Sequence, residues 1–200
     1  MKESVFPFGE DSRKKEIIDT SLRIMDRYGI KGLTVARIAQ EVGFTESALY
    51  RHFRSKKEII SLILKDADLA AQSQIKEIKE TPKNAVDQLK MLLRNHLEFL
   101  KMYPGLFKII YSDEIHIGET SLLQKLDHLI SNMVAGLEEI LEKGKKSKIF
   151  KSDVDVTVGA IHFLGIVQTA FSYWTIKNRK SSLVEIGDHL LTQFFTGIKA

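Results

Sequence analysis

Apolar residues recur at spacings of three and four along nearly the whole chain, whereas alternation with a period of two bounded by hairpin turns is all but missing. A chain patterned in this way can hide its apolar side chains only as one stripe along each helix, so the expected fold class is all-α. The three prolines, Pro7, Pro82 and Pro104, fall between the periodic segments and leave the helices uninterrupted. With 200 residues the chain buries a core unaided, and without cysteine it has no disulfide, thiolate metal site or cysteine nucleophile.

The pattern predicts a first helix from about Ser12 to Tyr28, with Ile17, Ile18, Leu22, Met25 and Tyr28 inward and Gly29 as a left-handed cap. A short second helix follows Thr34 as N-cap, carries Val35, Ile38, Ala39 and Val42, and stops at Gly43. A third is expected from about Thr45 to Phe53. The fourth opens on Ser55-Lys56-Lys57-Glu58, a capping box, and reaches about Lys79, where Thr81-Pro82 ends it. Further helices are expected near 83–102, 105–114, 120–143, 153–178 and 182–197, with turns at Tyr103-Pro104-Gly105, Ile117-Gly118 and Lys143 to Lys151. The organisation read from this is residues 1–57 as an N-terminal three-helix domain and 58–200 as a larger helical domain, the fourth helix running on from one to the other.

Charge is unevenly distributed. The net charge is only +4, yet Asp11 to Glu58 carries 11 basic and 7 acidic residues, and residues 59–200 carry 18 and 17. The basic excess therefore sits in the first quarter, as on a surface that meets phosphate or on an ordinary solvated face. The N-terminus, MKESVFPFGEDSRKK, lacks the apolar stretch of a signal peptide, and no run of eighteen apolar residues occurs. A soluble cytoplasmic protein without a membrane partner is expected.

The informative segment is Thr34 to Lys56, TVARIAQEVGFTESALYRHFRSK. A helix-turn-helix needs two short helices, a small residue where they cross and a glycine at the turn. Ala39 and Gly43 meet those needs, and Val35, Ile38, Val42, Leu49 and Phe53 supply apolar contacts. The third helix then offers Thr45, Glu46, Ser47, Ala48, Tyr50, Arg51 and His52 outward, a hydrogen-bonding surface of the kind that enters a major groove. Arg51 suits a guanine, Thr45 and Ser47 suit bases or phosphates, Ala48 a thymine methyl, and Tyr50 and His52 phosphate oxygens. Thr34 and Lys56 lie at helix N-termini, which favour phosphate, and Arg37 reaches toward the DNA backbone from the second helix.

The order of these residues resembles the signature of the TetR family of repressors: Thr34, Ile38-Ala39, Gly43, Leu49-Tyr50-Arg51-His52-Phe53 and Lys56, ungapped over about 45 residues. One departure is Glu46, a carboxylate that repels phosphate unless it accepts from a cytosine amino group. The resemblance implies a helix-turn-helix DNA-binding domain joined to a helical ligand-binding and dimerisation domain. It further implies a repressor that binds a palindromic operator on double-stranded DNA as a homodimer through its last two helices, and is released by a small-molecule inducer. In a symmetric pair the recognition helices stand roughly 34 Å apart, one turn of DNA.

For the dimer face the sequence offers Val158, Ile161, Leu164, Gly165, Val167, Leu190, Leu191 and Phe194, which serve a monomer's own core as well. For an apolar inducer the candidate lining is Phe99, Met102, Phe107, Tyr111, Met133, His162, Phe163 and Ile166, with His162 or Gln168 as a polar handle. Core packing accounts for the same residues. Catalysis has little support, since Asp113-x-x-His116 beside Glu114 is the only near match to a helical di-metal motif and no nucleophile elbow or phosphate loop occurs. No enzyme activity, cofactor or metal is expected. A helical interaction module that has lost its DNA role is the other alternative, and the polar face from Thr45 to His52 argues against it. His96, His128 and His189 read as solvated or satisfied by neighbours.

Overall fold

The structure, a computed structural model, describes residues 12–113, 115 and 120–200. Pro7, Glu114, His116 and the Ile117-Gly118 turn lie outside the described residues. Among those described there are nine α-helices: α1 (Ser12–Tyr28), α2 (Val35–Val42), α3 (Glu46–Tyr50), α4 (Lys56–Glu80), α5 (Ala85–Met102), α6 (Pro104–Ile110), α7 (Thr120–Lys146), α8 (Val156–Ile176) and α9 (Leu183–Ile198). The fold is all-α, and the described residues form no strand beyond one isolated bridge between Phe150 and Lys199. They gather into two compact units, one of residues up to 71 and 103–130, the other of residues 72–102 and 131–200.

In the first unit α1 buries Ile17, Ile18, Leu22, Ile24 and Met25. Tyr28 departs from the expected stripe, being 54% exposed, while Ile24 takes an inner place. The tyrosine ring instead carries the Arg37 guanidinium, 4.6 Å from its centroid, a position that only an exposed face allows. Gly29 also differs from expectation, because its φ of 67° comes with a ψ of −178°, so the chain leaves α1 extended rather than in a left-handed turn. Helix α6 opens with Pro104 in its first turn, where no N–H is missed, and lies tightly along α1. A Cβ at Gly105 would stand 2.1 Å from the Leu22 carbonyl oxygen, so glycine sets how closely the two backbones approach.

The start of α4 is capped almost as its sequence suggests. Ser55 Oγ accepts from the Glu58 N–H at 3.2 Å, but the Glu58 carboxylate accepts from the Arg54 N–H at 2.7 Å, one residue before the expected partner.

In the second unit α5, α8 and α9 pack together around Leu93, Leu97, Phe163, Ala170, Leu191 and Phe195, all buried. The end of α4 is held by more than Pro82. Gln88 is fully buried and its Nε2 donates toward the carbonyls of Ile78, Lys79 and Thr81 at 3.0, 3.2 and 3.3 Å, which satisfies acceptors that the helix end leaves open. Asp155 and Ser182 cap α8 and α9 with their side-chain oxygens. Among the described helices α8 alone is long and apolar enough to cross a membrane. One side of it is core, with Gly159, Phe163, Ile166 and Ala170 buried, and the other is an open stripe in which Val158, Ile161, Tyr173 and Ile176 are half exposed or more.

Candidate nucleic-acid interface

Each element around α3 is fixed by a local cap. Thr34 Oγ1 accepts from the Arg37 N–H at 3.2 Å and starts α2. Helix α2 ends with Gly43 at φ 78° and ψ 30°, and the N–H groups of Gly43 and Phe44 return to the carbonyls of Gln40 and Ala39. That pair of bonds is a Schellman motif, which turns the chain sharply and needs the left-handed residue that glycine supplies. Thr45 then starts α3 by accepting from the Ala48 N–H at 3.2 Å. The helix is shorter than its sequence suggests. It stops at Tyr50, while the N–H groups of His52 and Phe53 both reach the Leu49 carbonyl and carry one more turn toward α4.

Leu49 and Phe53 are buried on Ile38 and Ala39's side of the motif, at 1% and 3% exposure. Their burial orients everything else on α3. Thr45, Glu46, Ser47, Tyr50 and Arg51 are exposed, and Ala48 is half-buried. The Thr45 and Ser47 hydroxyls share a hydrogen bond of 3.0 Å. Among the described residues the Arg51 side chain has no hydrogen-bond or ionic partner, so its donors all face solvent. Arg54, which the sequence reading passed over, is likewise exposed just past Phe53. The spacing of Arg51, Arg54 and Lys57 was the available signal for it.

Other residues singled out in the sequence are engaged within the fold. Arg37 is half-buried, lies over Tyr28, and donates from Nη1 to the Gly32 carbonyl at 2.5 Å. Lys56 donates from Nζ to the Ile30 carbonyl at 2.6 Å, tying the start of α4 to the turn after α1. His52 stacks beside Phe44 at 6.2 Å between centroids, and the Arg13 guanidinium lies 5.5 Å from the same Phe44 ring. Thr34, Thr45, Arg37, Lys56 and His52 thus build the platform, and Ser47, Tyr50 and Arg51 are what it presents.

The residues expected to line an effector pocket fall in several places. In the first unit the Phe107 and Tyr111 rings lie 4.4 Å apart, and burial holds the Tyr111 phenol above its ordinary pKa. In the second, Met133, Phe163 and Ile166 are buried, Phe99 is half-buried and Met102 is 54% exposed. His162 is exposed, with its ring edge on Phe194 at 5.1 Å. Together with Ile166, Gly165, Thr169, Leu190 and Gln193 it lines an open groove of about 410 Å³ along α8 and α9. The proposed metal pair at Asp113 and His116 lies partly outside the described residues, and no cluster of three metal-ligating side chains occurs among those described.

A short exposed helix seated by a buried scaffold, at the front of a helical chain, defines a helix-turn-helix regulator. Residues 17–63 match the model of bacterial regulatory proteins of the tetR family, and residues 71–197 match that of the C-terminal region of YsiA-like proteins. The chain belongs to the TetR family of transcriptional regulators. Among its relatives, the nucleoid occlusion factor SlmA of Photobacterium profundum is 26% identical over 179 residues, 89% of this chain and 91% of that one. The fold is that of the fatty acid degradation regulator FadR from Bacillus halodurans, with a TM-score of 0.81 at 19% identity over 94% of this chain and 97% of that one. It is also that of the transcriptional regulator FadR from Bacillus subtilis in complex with stearoyl-CoA, with a TM-score of 0.77 at 23% identity over 92% and 98%.

Proposed function

We propose that this regulator is a repressor that binds a palindromic operator as a homodimer and is released by a small, apolar inducer. Residues 1–57 form its DNA-binding domain and residues 58–200 its sensing and dimerising domain. The observation that carries this reading is the solvent-facing surface of α3, where Ser47, Tyr50 and Arg51 stand exposed above a buried Leu49 and Phe53. Arg51 reads a base, and Ser47 and Tyr50 bond to the flanking backbone, with Ala48 available to a thymine methyl.

The pairing surface is the stripe on α8 with the groove beside it, Val158, Ile161, His162 and Gly165 meeting their counterparts on a second copy, with Leu190 and Gln193 of α9 at the side. A contiguous apolar face on a helix of such hydropathy is costly to leave in water, and a second copy of the same face covers it. The regulator is cytoplasmic, as its family's soluble DNA-binding role implies. The FadR of Bacillus subtilis was solved with stearoyl-CoA, which supports a long-chain acyl compound as the inducer of this chain.

DNase footprinting on the DNA upstream of the protein's own reading frame tests the reading. Two protected half-sites related by a dyad and one turn apart are expected, and an acyl-CoA should abolish them. A uniform pattern without protection would overturn it.

A second reading takes its support from the relatives named as nucleoid occlusion factors, which match 89% of the chain. In that case the bound protein acts through another protein at many chromosomal sites. A genome-wide occupancy map separates the two, since a repressor occupies a few promoters and an occlusion factor many dispersed sites.

A further inference from the structure

His96 sits in the middle of α5, flanked on its own helix by Leu92, Phe99 and Leu100. Leu92 and Leu100 are buried and Phe99 is half-buried, whereas Lys90, Arg94, Asn95, Glu98 and Lys101 are exposed. The charges of α5 therefore lie on one side and the imidazole on the other. Protein surrounds His96, yet the side chain keeps some accessible surface, so that surface faces an interior space rather than bulk water. Among the described residues neither ring nitrogen has a hydrogen-bond partner. This corrects the expectation that His96 is solvated or satisfied by a neighbour. His128 does have one, lying 3.6 Å from the Asp68 carboxylate, and His189 is exposed.

A buried polar group without a partner costs about 1–3 kcal/mol, and buried groups in folded proteins are overwhelmingly paired. Retaining one in an otherwise apolar setting, on a face that opens to internal space, is the arrangement of a site that waits for a ligand. Burial holds the imidazole pKa down at about 4, so at neutral pH the ring is uncharged and offers one donor and one acceptor. No cation of α5 shares its face. A carboxylate brought there would be buried without a counter-charge, which is expensive, whereas an ester or thioester carbonyl asks only for the N–H.

We propose that His96 is the polar anchor of the effector site, donating a hydrogen bond to the uncharged carbonyl of a long-chain acyl ester or thioester and discriminating against the free fatty acid. This rests on the effector-responsive reading above and adds to it the anchoring residue and the chemical class. The exposed His162, at the edge of the α8 and α9 groove, then belongs to the pairing surface and not to the effector site.

The test uses the full-length protein with decanoyl-CoA, methyl decanoate and decanoic acid as probes. Binding is followed by calorimetry, and the ring nitrogens of His96 by long-range nitrogen NMR. The two carbonyl probes should bind at least about tenfold more tightly than the acid and shift the His96 ring nitrogens, a factor of ten being about 1.4 kcal/mol. His96→Phe should lose about tenfold or more in affinity for them. His96→Gln, which keeps a donor and an acceptor, should retain most of it, and His162→Ala should bind as the parent does. Equal affinity in His96→Phe and the parent, an unshifted imidazole, or tighter binding of the free acid would overturn the proposal. Failure of every probe to bind the parent would overturn the ligand class. The operator footprint recorded without a probe reads the regulator function separately, so the two failures are distinguishable.

Discussion

The guanidinium of Arg37 lies flat above Tyr28, 4.6 Å from the ring centroid, and its Nη1 donates to the carbonyl of Gly32. This contact fastens α2 to the end of α1 from the outside, where no core residue reaches. Arg37→Ala removes the cation–π contact and a charged hydrogen bond, an expected loss of about 1–2 kcal/mol. Thermal unfolding should register it as a lower Tm. Operator affinity measured well below that Tm should fall by less than about threefold, because the side chain is engaged in the fold. A large affinity loss with an unchanged Tm would instead make Arg37 a DNA contact.

Gly105 permits α6 to lie on α1, and the space for a methyl group is occupied by backbone. A Cβ there would meet the Leu22 carbonyl oxygen at 2.1 Å, and a carbonyl inside α1 has no room to swing aside. Gly105→Ala should cost more than about 2 kcal/mol and lower the Tm by roughly 5–10 °C for a chain of this size. Gly165→Ala is the control, since nothing lies within 4 Å of its added methyl in the protomer. Equal melting of the two variants would contradict the tight α1 and α6 contact.

Ile161 is 58% exposed in the middle of the α8 stripe. If the stripe pairs two copies, Ile161→Glu buries a carboxylate against its own symmetry mate and should split the dimer. Sedimentation velocity should then show a monomer for the variant and a dimer for the parent, with operator affinity reduced at least about tenfold. A variant that remains dimeric would place the pairing surface elsewhere.

The helical periodicity made most of this architecture legible, because each helix buries one stripe whatever its neighbours are. Helices α1, α4 and α9 begin or end within a residue or two of expectation for that reason. Local chemistry was legible too, as Thr34, Gly43 and Thr45 cap the elements their types suit. What was not legible depends on contacts across the fold. Tyr28 has the spacing of a core residue and turns outward because Ile24 fills the inner place. Arg37 and Lys56 look like phosphate contacts by position, yet carbonyls of the turn after α1 engage both. Nothing around His96 in the sequence distinguishes it from the other five histidines, since its isolation is produced by helices distant along the chain.

The burial of His96 has a pH signature. Its folded pKa of about 4 lies below the ordinary value of 6.5, so between those values the unfolded chain binds more protons than the folded one. Stability is therefore full above about pH 6.5 and declines as the pH falls toward 4, by up to roughly 3 kcal/mol from this group. Denaturant unfolding of the parent and of His96→Phe between about pH 4 and 7.5 isolates it. The parent should lose more stability than the variant across this range, and parallel curves would contradict a buried neutral imidazole.

The central claim is that the exposed side of α3 reads DNA, and Arg51 tests it most directly because its guanidinium has no partner within the described fold. Fluorescence anisotropy with the footprinted operator and with a scrambled duplex, each at several salt concentrations, gives affinity and specificity together. The account predicts that Arg51→Ala leaves the Tm unchanged, weakens operator binding by about 1–3 kcal/mol and brings it close to the affinity for scrambled DNA. Undiminished affinity and sequence preference in that variant would contradict it.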